Sequence, residues 1–274
     1  MTDISTLAAE TSRLLNFYQG AEAAIEQKIQ QYQQAEIKHR YVYYVDAENG
    51  DNSNDGLTKD TAFRTIKANC THCFSNGHIQ YHLKNKNSSG QQLTYGPLPG
   101  VYTNSVVFVV AYSDDENDTF AVKPKIDQSS SYLFTDGRLR PRHASFHWNS
   151  FAWFSNVHLK TDNTPENQVR VPFCYITRGS TVYMANSYVD VGLSTLGSMS
   201  INSSFVTIGT EFYCDPLNFN QILGSANSVG VTSVHSNGVI FSGGYENRTN
   251  VLGSFIYVSP EFNDYGTLLT NLSS

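Results

Sequence analysis

Hydrophobic positions follow two different periods along this chain, and the change falls near residue 40. With Ile4 taken as heptad position a, the a positions are Ile4, Thr11, Tyr18, Ile25 and Tyr32, and the d positions are Leu7, Leu14, Ala21, Lys28 and Ala35. This three–four alternation keeps one apolar seam facing a partner helix, the condition for a coiled coil. Thr11 and Lys28 interrupt the seam, and Gly20 weakens its middle by ~1 kcal/mol relative to Ala. The pattern predicts a helix over residues 3–38 that helps to hold an oligomer together without forming one alone. The competing reading is an amphipathic helix laid on its own domain. A loop follows it in sequence and offers the apolar stripe little cover, so self-association is favoured.

Beyond residue 40 the period falls to two. His78 to Lys84 alternates cleanly, with Ile79, Tyr81 and Leu83 on one face and His78, Gln80 and His82 on the other. Short strands are expected at Phe154–Leu159, Ser180–Met184, Tyr188–Val191, Met199–Ile201, Phe205–Ile208, Gly230–Val234, Val239–Ser242 and Phe255–Val258, separated by Gly, Asn and Ser turns. Between residues 65 and 76 a short helix would place Ile66, Cys70, Cys73 and Phe74 on one side. Asn156, Asn186, Asn202 and Asn237 each stand near a strand, as in a stack of repeated turns, but their spacing is uneven. That fits a degenerate solenoid. A β-sandwich gives short strands at comparable spacing.

The stretch from Tyr41 to Ala68 decides between them. A Tyr/Val strand (Tyr41–Val45) breaks into a turn-dense tract containing Asp46, Asn49, Gly50, Asp51, Asn52, Ser53, Asn54, Asp55 and Gly56, then resumes at Phe63-Arg-Thr-Ile66. Glycine supplies positive φ, and Asn and Asp side chains bond their own backbone, so a tight entry loop follows. The pattern VDA-x-NG-x-x-SNDG, closed by AF-x-TI, resembles the opening of the pectate-lyase-like parallel β-helix in bacteriophage tail fibres and tailspikes. Leu98-Pro-Gly-Val-Tyr-Thr103 resembles the turn that begins a further coil of such folds. The resemblance implies a mainly β chain: a coiled-coil stem over 1–40, an entry loop and capping helix over 41–76, and a short right-handed parallel β-helical shaft with a C-terminal tip over 77–274, assembled as a homotrimer. It further implies a virion appendage built in the host cytoplasm, with other tail or baseplate proteins and a host surface glycan or protein as partners. Asp46, Gly50, Asp55 and Gly56 would form the entry turn, and Ile4, Leu7, Leu14, Tyr18, Ile25 and Tyr32 the trimer stem.

Composition agrees with a shaft whose surface is polar and nearly neutral: 15% of residues are charged and 13% are aromatic. A net charge of −6 without a Lys/Arg stripe argues against nucleic acid. No apolar run approaches the ~20 residues that span a bilayer, so membrane insertion is not expected. The first residues lack the basic and apolar segments of a secretory signal. The cysteines Cys70, Cys73, Cys174 and Cys214 therefore read as reduced thiols, and the Asn-x-Ser/Thr sequons as a by-product of composition.

Chemistry is thinly marked, and no cofactor is expected. Cys70-x2-Cys73-x4-His78-x3-His82 imitates a zinc site, yet two histidines four residues apart on a strand stand ~13 Å apart, too far to share a metal. Asp51-x-Ser53-x-Asp55-Gly56 imitates half a calcium loop, but its twelfth position is Ala62. Tailspikes of the resembled kind are often glycan depolymerases that use paired carboxylates, which makes an enzyme the alternative reading and a collar or baseplate fibre without a receptor the third. Asp190, Glu211 and Asp215 lie near expected strands, and Asp127, Asp136 and Asp162 in expected loops; no signature joins any two, and Arg178 with Tyr183 is the nearest approach to a lyase pair. Phe151 and Trp153 suggest one apolar strand face, while Tyr245, Tyr257, Phe262 and Tyr265 are candidates for stacking on a receptor glycan.

Overall fold

The computed structural model describes residues 12–13, 26, 40–66, 76–98, 100–129, 131–133, 139–141, 144–163, 171–199, 203–216, 222–225 and 233–245. The chain divides into two units, Met1–Arg40 and Tyr41–Ser274. In the first, Ser12, Arg13 and Glu26 are helical and exposed, and the stem positions Ile4, Leu7, Leu14, Tyr18, Ile25 and Tyr32 lie outside the described residues. The capping helix expected before Asn76 lies largely outside them as well.

The second unit is mainly β, and its strands follow one another in a fixed rotation. After β1 (Arg40–Val45) the chain runs through β2 (His78–Lys84), β3 (Thr94–Tyr95) and β4 (Gly100–Thr103). The next round is β5 (Val106–Tyr112), β6 (Lys125–Asp127) and β9 (Ala144–His147), interrupted by a hairpin of β7 (Ser131–Leu133) and β8 (Leu139–Pro141). It repeats through β10 (Phe151–Ser155), β11 (His158–Lys160) and β12 (Cys174–Ile176), then β13 (Thr181–Ala185), β14 (Tyr188–Val191) and β15 (Gly197–Met199). Further on come β16 (Ser204–Ile208), β17 (Glu211–Cys214) and β18 (Leu223–Ser225), and finally β19 (Ser233–Asn237) and β20 (Ile240–Gly243). The first strand of each round joins a seven-stranded sheet, β1-β2-β5-β10-β13-β16-β19. The second joins a six-stranded sheet, β20-β17-β14-β11-β6-β3, and the third a five-stranded one, β18-β15-β12-β9-β4. Every described register in these three sheets is parallel.

Period-two alternation directs one side chain in two toward a common core, and the parallel register stacks like upon like. Ile79, Val107, Ala152, Val182 and Phe205 form one buried row, and Tyr95, Ile126, Leu159, Val189 and Phe212 a second. Tyr102, Phe146, Ile176 and Met199 form a third, with the Tyr102 and Phe146 rings stacked at 5.3 Å. Packing identical faces at the ~4.8 Å strand spacing leaves few voids and removes nearly all of each side chain from water.

Corners between sheets carry the polar cost of turning. Ser105, Ser150 and Ser180 are buried just before β5, β10 and β13, and each hydroxyl serves the corner beside it: Ser105 N donates to Ser150 Oγ (3.3 Å) and Ser150 N to Ser180 Oγ (3.2 Å). A second column turns through left-handed backbone at Asn156 (φ 55°), Asn186 (φ 48°), Gly209 (φ 57°) and Gly238 (φ 60°). The expected asparagine stack is thus half asparagine and half glycine, because both types tolerate this region. Asn237 instead closes β19, and Asn202 lies outside the described residues. Asn156 also splits the single strand expected over Phe154–Leu159 into β10 and β11.

Candidate functional site

The entry turn is a self-bonded knot. Asp46, 4% exposed, accepts from the backbone N–H of Glu48 (2.9 Å) and Asn49 (3.1 Å) and from Lys84 Nζ (2.9 Å). Lys84 also pairs with Asp114 at 2.9 Å. Burial opposes the Asp46 charge, yet the Lys84 bond and the backbone donors outweigh it and hold the carboxyl below the usual range. Gly50 donates to Asp46 O at 2.9 Å, and a Cβ there would stand 2.3 Å from the Phe63 carbonyl oxygen. Gly56 adopts φ 71° with the Phe63 ring against it, and Asp55 ties the loop by accepting from Thr61 Oγ1 (2.6 Å) and Leu57 N (3.0 Å). Asp51 spends its Oδ1 on the N–H and hydroxyl of Ser53, both at 2.8 Å. These carboxylates complete the loop's own hydrogen bonding, which is an architectural use.

Chemistry gathers instead on the outer face of the six-stranded sheet. Its central strands each present two polar residues outward around one buried apolar residue: Lys125-Ile-Asp127, His158-Leu-Lys160, Tyr188-Val-Asp190 and Glu211-Phe-Tyr213. Parallel register aligns them into two rows, Lys125–His158–Tyr188–Glu211 and Asp127–Lys160–Asp190–Tyr213. The first row ends at Ile240, 59% exposed. Asp127 Oδ2 lies 3.4 Å from Lys125 Nζ and 3.8 Å from Lys160 Nζ. Ser242 donates its hydroxyl to Glu211 Oε1 at 2.8 Å. His158 packs edge-on to Tyr188 at 4.8 Å, with its Nδ1 at 3.2 Å from Gln92 Nε2.

Protonation differs sharply along these rows. Burial lifts the Asp127 pKa, but its Ser129 hydrogen bonds and the two lysines outweigh it, and the carboxyl lies below its ordinary range. Asp190 is raised, chiefly by burial and further by Asp127 and Asp215, against the pull of Lys160 and Lys125. Desolvation and Lys125 push His158 down to about 4, and burial with Asp190 and Glu211 pushes the Tyr188 phenol up to about 12. The face thus holds one carboxyl shifted down, one shifted up, and an imidazole that burial keeps neutral.

Distances follow from strand spacing. Asp190 and Glu211 sit diagonally on adjacent strands, about 8 Å apart at Cα, while Asp127 and Asp190 lie across an intervening strand at about 10 Å. Lys160 fills the gap between the latter two. Asp190 and Glu211 face outward on neighbouring strands with no lysine between them in the register, and Glu211 Oε1 accepts from the Ser242 hydroxyl.

Other expected site residues fall elsewhere. Tyr245, anticipated on a receptor-contacting surface, is 1% exposed and packs its ring edge-on to Phe241 at 6.2 Å, so the core holds it and no glycan reaches it. Tyr257, Phe262 and Tyr265 lie outside the described residues, as do Cys70, Cys73 and Asp136. His78 and His82 face outward on β2 with Gln80 between them, its amide 3.1 Å from one ring and 3.5 Å from the other. Arg178 stands over the Trp148 ring at 5.0 Å, and Tyr183 meets the Trp153 ring at a tilt, 4.6 Å away, on the seven-stranded sheet. Asp127, expected in a loop, ends β6. Lys125, His158, Lys160, Tyr188 and Tyr213 were not picked out from the sequence. The repeated polar–apolar–polar triplet is the signal that marks them. Compared with family models, curated proteins and solved structures, the chain matches none of them.

Proposed function

We propose that the chain is a bacteriophage tail fibre or similar virion appendage: a homotrimer with a helical N-terminal stem and a right-handed parallel β-helical shaft that contributes to adhesion on a host cell. The observation that carries this reading is the repeated rotation of strands through three parallel sheets in the unit that holds the entry turn, whose residues resemble that family. A slender coil of this kind grows by adding rounds, a construction suited to a projecting rod.

The seven-stranded sheet supports self-association. Its outer face carries a half-buried aromatic ladder: His78 stacks on Phe108 (5.3 Å), Phe108 meets Trp153 (5.8 Å), and Trp153 meets Tyr183 (4.6 Å). Val106, Val110, Phe151 and Val206 extend it. A contiguous apolar patch on a sheet face marks an interaction surface, and in this reading further copies of the chain cover it. Light scattering on the purified chain tests the proposal: a mass near three protomers is expected, and a stable monomer would refute it.

The Asp190–Glu211 pair favours one alternative, an inverting glycan hydrolase with Asp190 as general acid and Glu211 activating water from the opposite side. Incubation with host capsule or O-antigen should then release new reducing ends, and Asp190→Asn should abolish the release. No release from any host polysaccharide discards the hydrolase and leaves the adhesive fibre.

A further inference from the structure

Two stacked corners of the fold hold an exposed aromatic–guanidinium pair. Between β9 and β10 the chain turns through two successive left-handed residues, Trp148 (φ 56°) and Asn149 (φ 62°). One round later, between β12 and β13, Arg178 (φ 52°) and Gly179 (φ 80°) repeat the turn. Asn149 N donates to Arg178 O at 3.1 Å, so the corners are aligned, and the Arg178 guanidinium comes to rest 5.0 Å from the centre of the Trp148 ring.

Asn and Gly accept left-handed backbone readily; a bulky aromatic residue does not. Trp148 bears that strain while 51% exposed, so burial returns little of it. Strain held at a solvent-facing side chain points toward a ligand. Arg178 is also exposed, and among the described residues its guanidinium meets neither a carboxylate nor a hydrogen-bond acceptor. Its planar fork of N–H donors matches a carboxylate in bidentate fashion. Beside the pair, His147 is held by Thr177 (Nδ1 to Oγ1, 2.6 Å), which fixes one wall of the platform.

We propose that Trp148 and Arg178 bind an anionic sugar of the hexuronate or sialate type, with the apolar face of the pyranose on the indole and its carboxylate on the guanidinium. The proposal rests on the adhesive reading above and assigns it a receptor class and a place on the side of the shaft. One guanidinium at this corner, on a chain of net charge −6, suits a sparsely charged glycan and not a phosphate polyanion.

The test uses the full chain and oligosaccharides containing glucuronate or sialate, each paired with its carboxyl-reduced counterpart. Isothermal titration calorimetry follows binding in the parent chain and in every variant alike, so removing the Trp148 ring does not remove the signal. Saturable binding of at least one acidic probe is expected. Trp148→Gly should weaken it tenfold or more while its Tm stays level or rises, since glycine relieves the backbone; Arg178→Gln should erase the preference for the acidic probe over its reduced form. Unchanged affinity in Trp148→Gly, no binding of any acidic probe, or equal binding of the reduced forms would overturn the site. Whole-cell adhesion separates the two proposals. Adhesion that survives Trp148→Gly removes this site and leaves the adhesive reading, whereas probe binding without adhesion of the parent chain does the reverse.

Discussion

Phe154→Ala is the sharpest probe of the core. Phe154 is 1% exposed, sits in register between Val109 and Met184, and meets the Phe173 ring edge-on at 6.4 Å. Truncation removes the transfer free energy of the ring and leaves a void that neighbouring rounds, tied by their own hydrogen bonds, fill only in part. For a fully buried Phe this costs about 3–5 kcal/mol. At roughly 2–4 °C per kcal/mol for a unit of this size, Tm should fall by about 6–20 °C. Trp153 is the control: adjacent in sequence, it lies on the half-buried outer face among Phe108, Phe151 and Tyr183. Trp153→Ala should cost the isolated subunit well under half as much. Urea unfolding followed by circular dichroism measures both, with the midpoint expected to move and the slope to hold. In a sample that light scattering shows to be monomeric, the reverse order, with Trp153→Ala the costlier, would mean that β10 is offset by one residue, since a one-residue slip exchanges the two faces; in a trimer it would report the covered outer face.

Three further outcomes follow from the geometry. Gly50→Ala forces a Cβ to 2.3 Å from backbone oxygen, and Gly56→Ala combines φ 71° with a ring contact at 2.3 Å; each should cost about 2 kcal/mol or more and open the loop over residues 46–63 to limited proteolysis. His158 is depressed to about 4 from an ordinary 6.5, so the fold binds fewer protons than the unfolded chain; its contribution is complete above pH 6.5 and is lost as pH falls toward 4. At 1.36 kcal/mol per unit the loss is at most about 3 kcal/mol, less for solvent screening, and His158→Gln should flatten Tm against pH in that window. Cys174 is buried with its thiol pushed up to about 12, and Cys214 is buried as well, so neither should react with a thiol reagent until the chain unfolds, as peptide mapping by mass spectrometry will report.

Local pattern was the more legible part of this protein. His78–Lys84 alternates without a fault and forms β2 over the same residues, because the choice of which side chains face inward lies within the strand itself. Asn156 was read as a turn cue, yet its power to end β10 was not, since only the stacked rounds require the chain to bend there. The acidic residues show the limit most plainly. Asp127, Asp190 and Glu211 are far apart in sequence, and the uneven rounds, one lengthened by the β7–β8 hairpin, hide the spacing that aligns them.

What the sequence determined by itself was the alternation that makes strands, the Asn, Asp and Gly chemistry that makes the entry turn, and the mainly β class. Tertiary structure decided which strands became neighbours, and with that the charged rows, the aromatic ladder, the Trp148–Arg178 corner and the burial of Tyr245. The division has a physical cause. Facing in or out is settled by sterics and water over two residues, whereas register between rounds is settled by packing and ladder hydrogen bonds among segments far apart in the chain.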